Sequence, residues 1–170
     1  TKGGKLIVIS NGLSAFAEKK GFGLKNYVTE AEKNEAEKKE KLAKEKELLT
    51  RYEDAERREI SNVISGAIYK ITLDTSHPLA FGVGNSYHTL KTSDLRFAYL
   101  EKGWNVGVIK GVAKPIQGFA GNHVNRKMNN SLVFGVEEKG EGEVVYLVDN
   151  PLFRSFWESG KMIFSNAVFM

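Results

Sequence analysis

Five polar residues have side chains that could form a small pocket. Asp74, Ser76 and His77 follow one apolar run of the sequence, and Asp149 and Arg154 follow another. Such groups can bind a polar ligand or transfer protons, and open α/β sheets bind ligands at the carboxyl ends of their strands. The functional interpretation is a vestigial pocket for a small polar ligand. The structural interpretation is that Asp74 caps a loop, His77 fixes a turn and Arg154 pairs with Asp149 or a backbone carbonyl.

Other nucleophilic and phosphate-binding patterns do not occur in the sequence. The chain has no cysteine, which excludes thiolate catalysis and thiolate metal ligands. It has no Gly-x-Ser-x-Gly nucleophile elbow, and the glycine pairs within residues 21–23 and 82–84 lack the further residues of nucleotide-binding loops. We therefore assign no catalytic, cofactor-binding or metal-binding residue to this chain.

Length and composition indicate one domain that spans residues 1–170. The 170 residues are 41% hydrophobic, which is enough for a single core. No apolar run approaches the roughly 20 residues of a membrane-spanning helix, so we predict no membrane span. The net charge of +4 raises the alternative of nucleic-acid binding, but the basic residues form no concentrated stripe. We interpret them as solvated surface and expect no nucleic-acid partner.

Residues 29–60 predict a charged helical insertion. Thr29 is a good N-cap, Glu32 completes a capping box, and the helix should continue to about Arg58. Its first half has almost no apolar side chain to bury, whereas its second half carries a partial apolar stripe. An exposed charged helix between two sheet elements is one interpretation, and a dimerising coiled coil is the other.

Apolar runs rich in β-branched residues predict a sheet. The predicted strands are residues 5–10, 67–73, 95–100, 104–109, 131–136 and 144–148. The first should be a central parallel strand, followed by a helical start at residues 13–20. The glycine turn at residues 139–142 should join the last two strands as an antiparallel hairpin. Together these elements predict a mixed α/β layer structure.

An aromatic-rich helix is predicted after the last strand. Asn150 can cap this helix, Pro151 suits its first position and Gly160 suits its end. We expect core packing from the large aromatic residues, which are Trp104, Phe153, Phe156, Trp157 and Phe164. An exposed subset of them could instead contact another domain.

Several short motifs, taken in order, resemble one known domain. They are the opening Gly3-Gly4 strand, residues 52–61, 74–82 and 149–157, and the pair Asn166-Ala167. Their order and spacing are similar to those of the glutamine-amidotransferase-like domain that follows the catalytic domain in many bacterial zinc carboxypeptidases. The resemblance implies an α/β, flavodoxin-like, class I amidotransferase-like three-layer sandwich. It also implies truncation at the N-terminus, because the elements that should precede Gly3-Gly4 are not in the chain.

The resemblance implies a noncatalytic accessory role, structural or interactive. The zinc-site pattern His-x-x-Glu does not occur, since the residues three positions after His77, His88 and His123 are Ala80, Lys91 and Arg126. Zinc and proteolysis would then belong to a peptidase domain of the same polypeptide, which is the implied partner, in a periplasmic or secreted protein. The alternative function is a small-molecule-binding or hydrolytic domain that uses a remodelled pocket at Asp74 and His77.

Overall fold

A computed structural model describes residues 3–27 and 55–170, without the side chains of Ala55 and Arg58. The described residues form one sheet of seven strands, which are β1 (Gly4–Ile9), β2 (Ile64–Leu73), β3 (Ser86–Lys91), β4 (Trp104–Ile109), β5 (Pro115–Ala120), β6 (Ser131–Lys139) and β7 (Gly142–Leu147). The described α-helices are α1 (Ala55–Ser61), α2 (Asn122–Lys127) and α3 (Glu158–Phe169). Short 3-10 helices occupy Ser10–Ala15, Pro78–Ala80 and Phe153–Ser155.

The sheet is mixed, with the strand order β1-β7-β6-β4-β2-β3. β1 and β7 are parallel, and every other strand pairing within the described ranges is antiparallel. The long strand β2 pairs with β3 along one edge, and its other edge pairs first with β5 and then with β4. The α/β class, the mixed sheet and the antiparallel hairpin of β6 and β7 are therefore confirmed.

Both faces of the sheet are covered, which explains why β6 is buried over a continuous run instead of at alternate residues. The inner face, as we call it, packs against α3 through residues such as Ile163. The outer face packs against residues 10–24 and 95–100, which contribute Leu13 and Phe97. Side chains near the ends of the strands can therefore be assigned to one face or the other by the alternation of each strand.

The sheet curls, which brings β3 over the inner face. Tyr87 of β3 packs edge-to-face on Phe134 of β6, with ring centroids 5.1 Å apart, although β2 and β4 lie between these strands in the sheet order. The indole N–H of Trp157, just before α3, donates to the carbonyl of His88 in β3 (2.7 Å). Beyond the other end of α3, the carbonyl of Met170 accepts a hydrogen bond from Lys5 of β1. α3 thus spans the inner face from β3 to β1.

β1 forms where the sequence predicts a strand, but its predicted central position is wrong. β1 lies at one end of the strand order and pairs only with β7 among the described strands. Ile7 and Ile9 pack partly against the inner core, and Val8 is buried on the outer face. β1 therefore has the apolar sequence of a strand covered on both faces, and that sequence does not reveal whether it has one neighbouring strand or two.

The structure also corrects the prediction of a strand at residues 95–100. Phe97 forms isolated bridges to Asn26 and Leu132, and the flanking chain covers the outer face as irregular structure. Residues 13–20 form the end of a 3-10 helix followed by turns, so the helical start predicted there is not an α-helix. In both segments apolar side chains pack on the sheet without regular backbone pairing.

The last helix begins later than the sequence predicts. Asn150 accepts a hydrogen bond from the backbone N–H of Leu152 (2.9 Å) and so stabilises a turn instead of capping α3. Gly160 lies in the first turn of α3, not at its end. A Cβ at Gly160 would stand 1.9 Å from the carbonyl oxygen of Pro151, so the absence of a side chain permits a close approach here.

Three elements have no counterpart in the prediction, namely β3, β5 and α2. β3 has the sequence Ser-Tyr-His-Thr-Leu-Lys, and its buried residues are Tyr87, Thr89 and Lys91. Two of these three are polar or charged, so an alternation of apolar residues is not visible in the sequence. Most of the predicted helical insertion at residues 29–60 lies outside the described residues. Its final part is helical, since α1 covers Ala55–Ser61.

Candidate functional site

Strand direction separates the five polar residues that were predicted to share a pocket. β2 is antiparallel to β4, β4 to β6, and β6 to β7, so β2 and β7 run in opposite directions. Asp74 follows the carboxyl end of β2, and Asp149 follows the carboxyl end of β7. The two carboxylates therefore lie at opposite ends of the sheet and do not form one pocket.

Asp149 belongs to a buried cluster with Thr89 and Lys91, which we call the sealed end. Lys91 Nζ donates to Asp149 Oδ1 (3.0 Å) and to the carbonyl of Leu95 (3.1 Å). Thr89 Oγ1 donates to Asp149 Oδ2 (2.6 Å). Lys91 is fully buried and Asp149 is 6% exposed. Both carboxylate oxygens are thus bonded within the fold and shielded from solvent.

The curl of the sheet brings this cluster together. Tyr87, Thr89 and Lys91 alternate along β3 and so share its inner side. The curl carries that side to the carboxyl end of β7, where Lys91 meets Asp149. A buried charge costs several kcal/mol unless it is paired and hydrogen-bonded. The cluster therefore links two strands that are not neighbours in the sheet and favours the curled arrangement over a flatter one.

Two buried tyrosines lie close enough to Asp149 to respond to its charge. Burial and, to a smaller extent, the negative charge of Asp149 raise the pKa of Tyr69 to about 12. The same two causes, in the same order, raise the pKa of Tyr87. Tyr69 donates its hydroxyl hydrogen to Asn125 Oδ1 (2.9 Å). Both phenols are therefore protonated at neutral pH, and Tyr69 acts as a hydrogen-bond donor, not as a base.

Asp74, Ser76 and His77 form a turn at the opposite end of the sheet. Asp74 Oδ1 accepts hydrogen bonds from the Ser76 backbone N–H (3.0 Å) and from Ser76 Oγ (2.6 Å), and these bonds lower the pKa of Asp74. His77 Nδ1 accepts from the backbone N–H of Leu79 (3.1 Å), while burial lowers the pKa of His77. Neutral His77 consequently carries its ring proton on Nε2.

This turn does not have the geometry of a nucleophilic triad. In a triad the carboxylate orients the imidazole, and the imidazole accepts the proton of the hydroxyl nucleophile. Here Ser76 donates to Asp74, and Nδ1 of His77 accepts from the backbone of Leu79 instead. The contacts support the structural interpretation, in which Asp74 caps the loop and His77 fixes the start of the 3-10 helix Pro78–Ala80.

Arg154 lies outside both groups. It has a positive φ of 48° in the 3-10 helix Phe153–Ser155, and its guanidinium carbon is 5.2 Å from the centroid of the Phe153 ring. The oxygens of Asp149 accept hydrogen bonds from Lys91 and Thr89 instead. The expected pairing of Arg154 with Asp149 is therefore replaced by stacking of the guanidinium on an aromatic ring.

A different set of side chains meets at the end of the sheet that contains His77. We call it the open mouth, and it consists of Lys5 (β1), Glu143 (β7), Glu138 (β6), Trp104 (β4) and His77. Strand register places Lys5 opposite Glu143 and Glu143 opposite Glu138, while Trp104 lies opposite Val136, two positions before Glu138. Alternation puts the four strand residues on the inner side of the curl.

Trp104 was expected to pack in the core, but it is 53% exposed. The ring centroids of Trp104 and His77 are 6.0 Å apart. Gly103 precedes it with a φ of +119°, and a Cβ there would stand 2.4 Å from the carbonyl oxygen of Val136. Glycine thus allows the chain to enter β4 close against β6 and to present the indole at the mouth. Phe156 is also exposed rather than buried.

Two grooves meet at the open mouth. One, of about 380 Å³, is lined by residues 102–104 and by residues 137–139 of β6, which include Glu137 and Lys139 as well as Glu138. The other, of about 460 Å³, is lined by Gly4, Lys5, Glu138 and residues 140–143. Glu138 borders both grooves, so they are adjacent. The sequence gives no signal for this site, because its members come from four strands whose register is set only by tertiary structure.

Glu137 lies beside the mouth on the outer side of β6, where it is buried. It accepts hydrogen bonds from the Gly23 backbone N–H (2.9 Å to Oε2) and from the Tyr146 hydroxyl (2.7 Å), and it pairs with Lys139. Burial alone would raise its pKa, but the hydrogen bonds from Lys139, Gly23 and Tyr146 lower the pKa of Glu137 overall. This carboxylate therefore anchors the loop at Gly23 to the sheet.

The described ranges contain no group of three or more His, Asp or Glu side chains placed to hold a metal ion. None of the described helices is long and apolar enough to cross a membrane. Comparison with protein-family models, with curated proteins and with solved structures gives no match to this chain.

Proposed function

We propose that this chain is a noncatalytic accessory domain with a structural or interaction role. The proposal joins the motif resemblance to the amidotransferase-like domain of bacterial zinc carboxypeptidases with the contacts of the polar residues. Its partner would be the peptidase domain of the same polypeptide, in a periplasmic or secreted protein. Zinc would be bound by that peptidase domain and not by this chain.

One observation carries the proposal, namely the burial and full hydrogen bonding of Asp149. This carboxylate follows the carboxyl end of a strand, where an α/β enzyme commonly holds a ligand or a catalytic group. Here its two oxygens accept hydrogen bonds from Lys91 and Thr89 inside the fold. A residue in a position suited to chemistry thus serves packing, as expected of a scaffold that supports a neighbouring domain.

The finer fold that we propose is the flavodoxin-like, amidotransferase-like sandwich. Support comes from the parallel pairing of β1 with β7 and from the coverage of the sheet on both faces. The antiparallel strands β2 to β6 would then be an extension of this parallel pair.

An exposed apolar patch supports an interaction role. Phe81 is 76% exposed, Phe169 is 86% exposed and Met162 of α3 is 44% exposed. A Cβ at Gly82, next to Phe81, would stand 3.7 Å from the Met162 side chain, and Met162 and Phe169 are seven residues apart, so they lie on the same face of α3. The side chain of Asn166 donates to the carbonyls of Leu79 (3.0 Å) and Phe81 (2.8 Å), which holds this loop against α3. Large exposed apolar side chains that adjoin one another are typical of contact surfaces.

The decisive experiment is a peptidase assay on the purified chain. We expect no release of C-terminal amino acids from peptides, with or without added zinc. Release at a rate abolished by chelators would overturn the proposal. The coding sequence upstream should encode a His-x-x-Glu zinc motif in the same reading frame, and the absence of such a motif would contradict the proposed partner.

Co-elution with that peptidase domain tests the contact surface. The double variant Phe81→Ser/Phe169→Ser should lose co-elution in gel filtration. Val112→Ser is the matched control, because Val112 is also highly exposed and is not part of the patch. Equal co-elution of both variants would exclude the patch as the contact surface.

The alternative function, hydrolysis at Asp74 and His77, predicts a different result. Asp74→Asn and His77→Gln would then abolish turnover of an ester or amide while the fold is retained. The bonds from Ser76 to Asp74 and from Leu79 to His77 favour the accessory role.

A further inference from the structure

The open mouth combines an exposed indole with hydrogen-bonding groups of both signs. Trp104 presents about half of its surface, in contrast to the other aromatic residues of β-strands near it, Tyr87, Phe134 and Tyr146, which are buried. Exposure of a tryptophan is costly, since burial of such a ring contributes more than burial of most side chains. A half-exposed indole that borders a groove therefore indicates a surface that something else covers.

The size of the grooves limits what could bind there. Volumes of about 380 and 460 Å³ fall within the roughly 300–1,000 Å³ of small-molecule sites. The two grooves adjoin at Glu138, so an occupant on Trp104 would extend past Glu138 toward Glu143. The combined extent of the two grooves suits a ligand of one to a few rings rather than a metal ion or a protein face.

The charges favour a neutral ligand. Lys5 Nζ pairs with Glu143 (2.9 Å) and Lys139 Nζ pairs with Glu137 (2.5 Å), so each of these acids is neutralised in place. Glu138 and Lys102 line the groove at Trp104 and add one charge of each sign. The ring of His77 lies 6.0 Å from that of Trp104, centroid to centroid, and because its Nδ1 accepts from Leu79 the ring proton is on Nε2. Donors and acceptors are thus present without a large net charge.

We propose that the open mouth binds a neutral carbohydrate, with one pyranose ring stacked on the indole of Trp104. The C–H face of a pyranose is apolar and flat enough to cover an indole, while its rim carries hydroxyl groups that both donate and accept hydrogen bonds. Glu138 accepts from these hydroxyls and Lys102 donates to them. A second sugar ring lies in the adjoining groove beside Glu143 and Lys5. This site is independent of the proposed accessory role.

Tryptophan fluorescence provides a direct test, because the chain has 2 tryptophans. Trp157→Phe leaves Trp104 as the single reporter. We expect its emission to shift and its intensity to change saturably on titration with at least one of tri-N-acetylchitotriose, cellotriose and maltotriose, all neutral, at concentrations up to about 10 mM. Constant emission with all three sugars would overturn the proposal. A response to cationic peptides alone would overturn it in favour of a charged ligand.

Two variants check that the response comes from stacking and hydrogen bonding. Trp104→Ala should abolish sugar binding in isothermal titration calorimetry, with circular dichroism to confirm folding. Glu138→Gln, checked for folding in the same way, should weaken binding roughly tenfold, a typical loss for a charge-assisted hydrogen bond. Glu59→Gln is the matched control, because Glu59 is an exposed acid that lines neither groove. Equal sugar affinity in all of these variants would contradict the site.

Discussion

Two ion pairs of nearly equal length stand at opposite ends of the sheet in different surroundings. The Lys91–Asp149 pair spans 3.0 Å and is shielded from solvent, whereas the Lys5–Glu143 pair spans 2.9 Å with side chains that are 20% and 29% exposed. Distance alone would give the two pairs equal weight. Desolvation makes the loss of one partner of the buried pair costly, while the exposed pair leaves its groups available to a ligand.

The largest expected effect comes from breaking the buried pair. Asp149→Asn keeps the shape of the side chain but leaves Lys91 as a buried, uncompensated charge, so we expect a loss of about 3–5 kcal/mol in the free energy of unfolding. Glu143→Gln at the open mouth should cost only about 0.2–1 kcal/mol. Urea denaturation of both variants measures the contrast.

A double variant keeps this prediction testable even if Asp149→Asn does not fold. Lys91→Met/Asp149→Leu removes both charges and should restore most of the stability, since well-packed apolar replacements of buried pairs are often neutral or stabilising. Similar losses in Asp149→Asn and Glu143→Gln would show that the sealed end is not energetically distinct from the mouth.

The second effect concerns the packing beside the sealed end. Gly160→Ala would place a Cβ 1.9 Å from the Pro151 carbonyl oxygen and 3.0 Å from the Tyr87 hydroxyl, so α3 must shift away from β3. We expect a loss of about 1–3 kcal/mol, as for other overpacked sites. Ser159→Ala, an exposed position in the same turn, is the control and should be nearly neutral in thermal denaturation.

The third effect is a pH dependence at the other end of the sheet. The pKa of Glu137 is lowered in the folded state from its ordinary value of 4.5, so the folded chain binds fewer protons than the unfolded chain. The stability that Glu137 contributes is therefore complete above pH 4.5 and is lost as the pH falls below it. Glu137→Gln should flatten this part of the profile of unfolding free energy against pH. A profile equal to that of the unmodified chain would contradict the assignment.

The smallest effect involves the turn at the mouth. Burial lowers the pKa of His77 from 6.5, so protonation below that pH opposes folding, and stability falls as the pH falls from 7 toward 5. His77→Asn keeps an acceptor for the Leu79 N–H without the titration and should remove this slope. His77→Ala should cost about 0.5–1.5 kcal/mol at pH 8 through the lost hydrogen bond. Chemical denaturation of both variants at pH 8 and at pH 5 distinguishes them.

The strands that were predicted best are those with locally complete patterns. β4 matches its predicted bounds, and β2, β6 and β7 differ at their ends. Their apolar, β-branched runs and the glycine turn between β6 and β7 act over a few residues, so the sequence reports them directly. β3 was not predicted because its buried Thr89 and Lys91 are polar, and both bond to Asp149, a partner far away in the chain.

The candidate sites show the same limit. Asp74, Ser76 and His77 were grouped because they are close in sequence, and the structure places them in one turn. Asp149 was joined to them because both follow predicted strands, and only the direction of β2 and β7 separates them. Trp104 was expected in the core because a sequence does not show which end of a strand a curled sheet leaves open.

The sequence by itself determined the α/β class, the hairpin of β6 and β7, the local turn at Asp74 and the exclusion of thiolate chemistry. These depend on residue types and on spacings of a few positions. Only the tertiary structure decided that Lys91 meets Asp149 and that Trp104 lies at an open mouth. The reason is that register, strand direction and curl minimise the free energy of the whole sheet, through contacts between residues far apart in the chain.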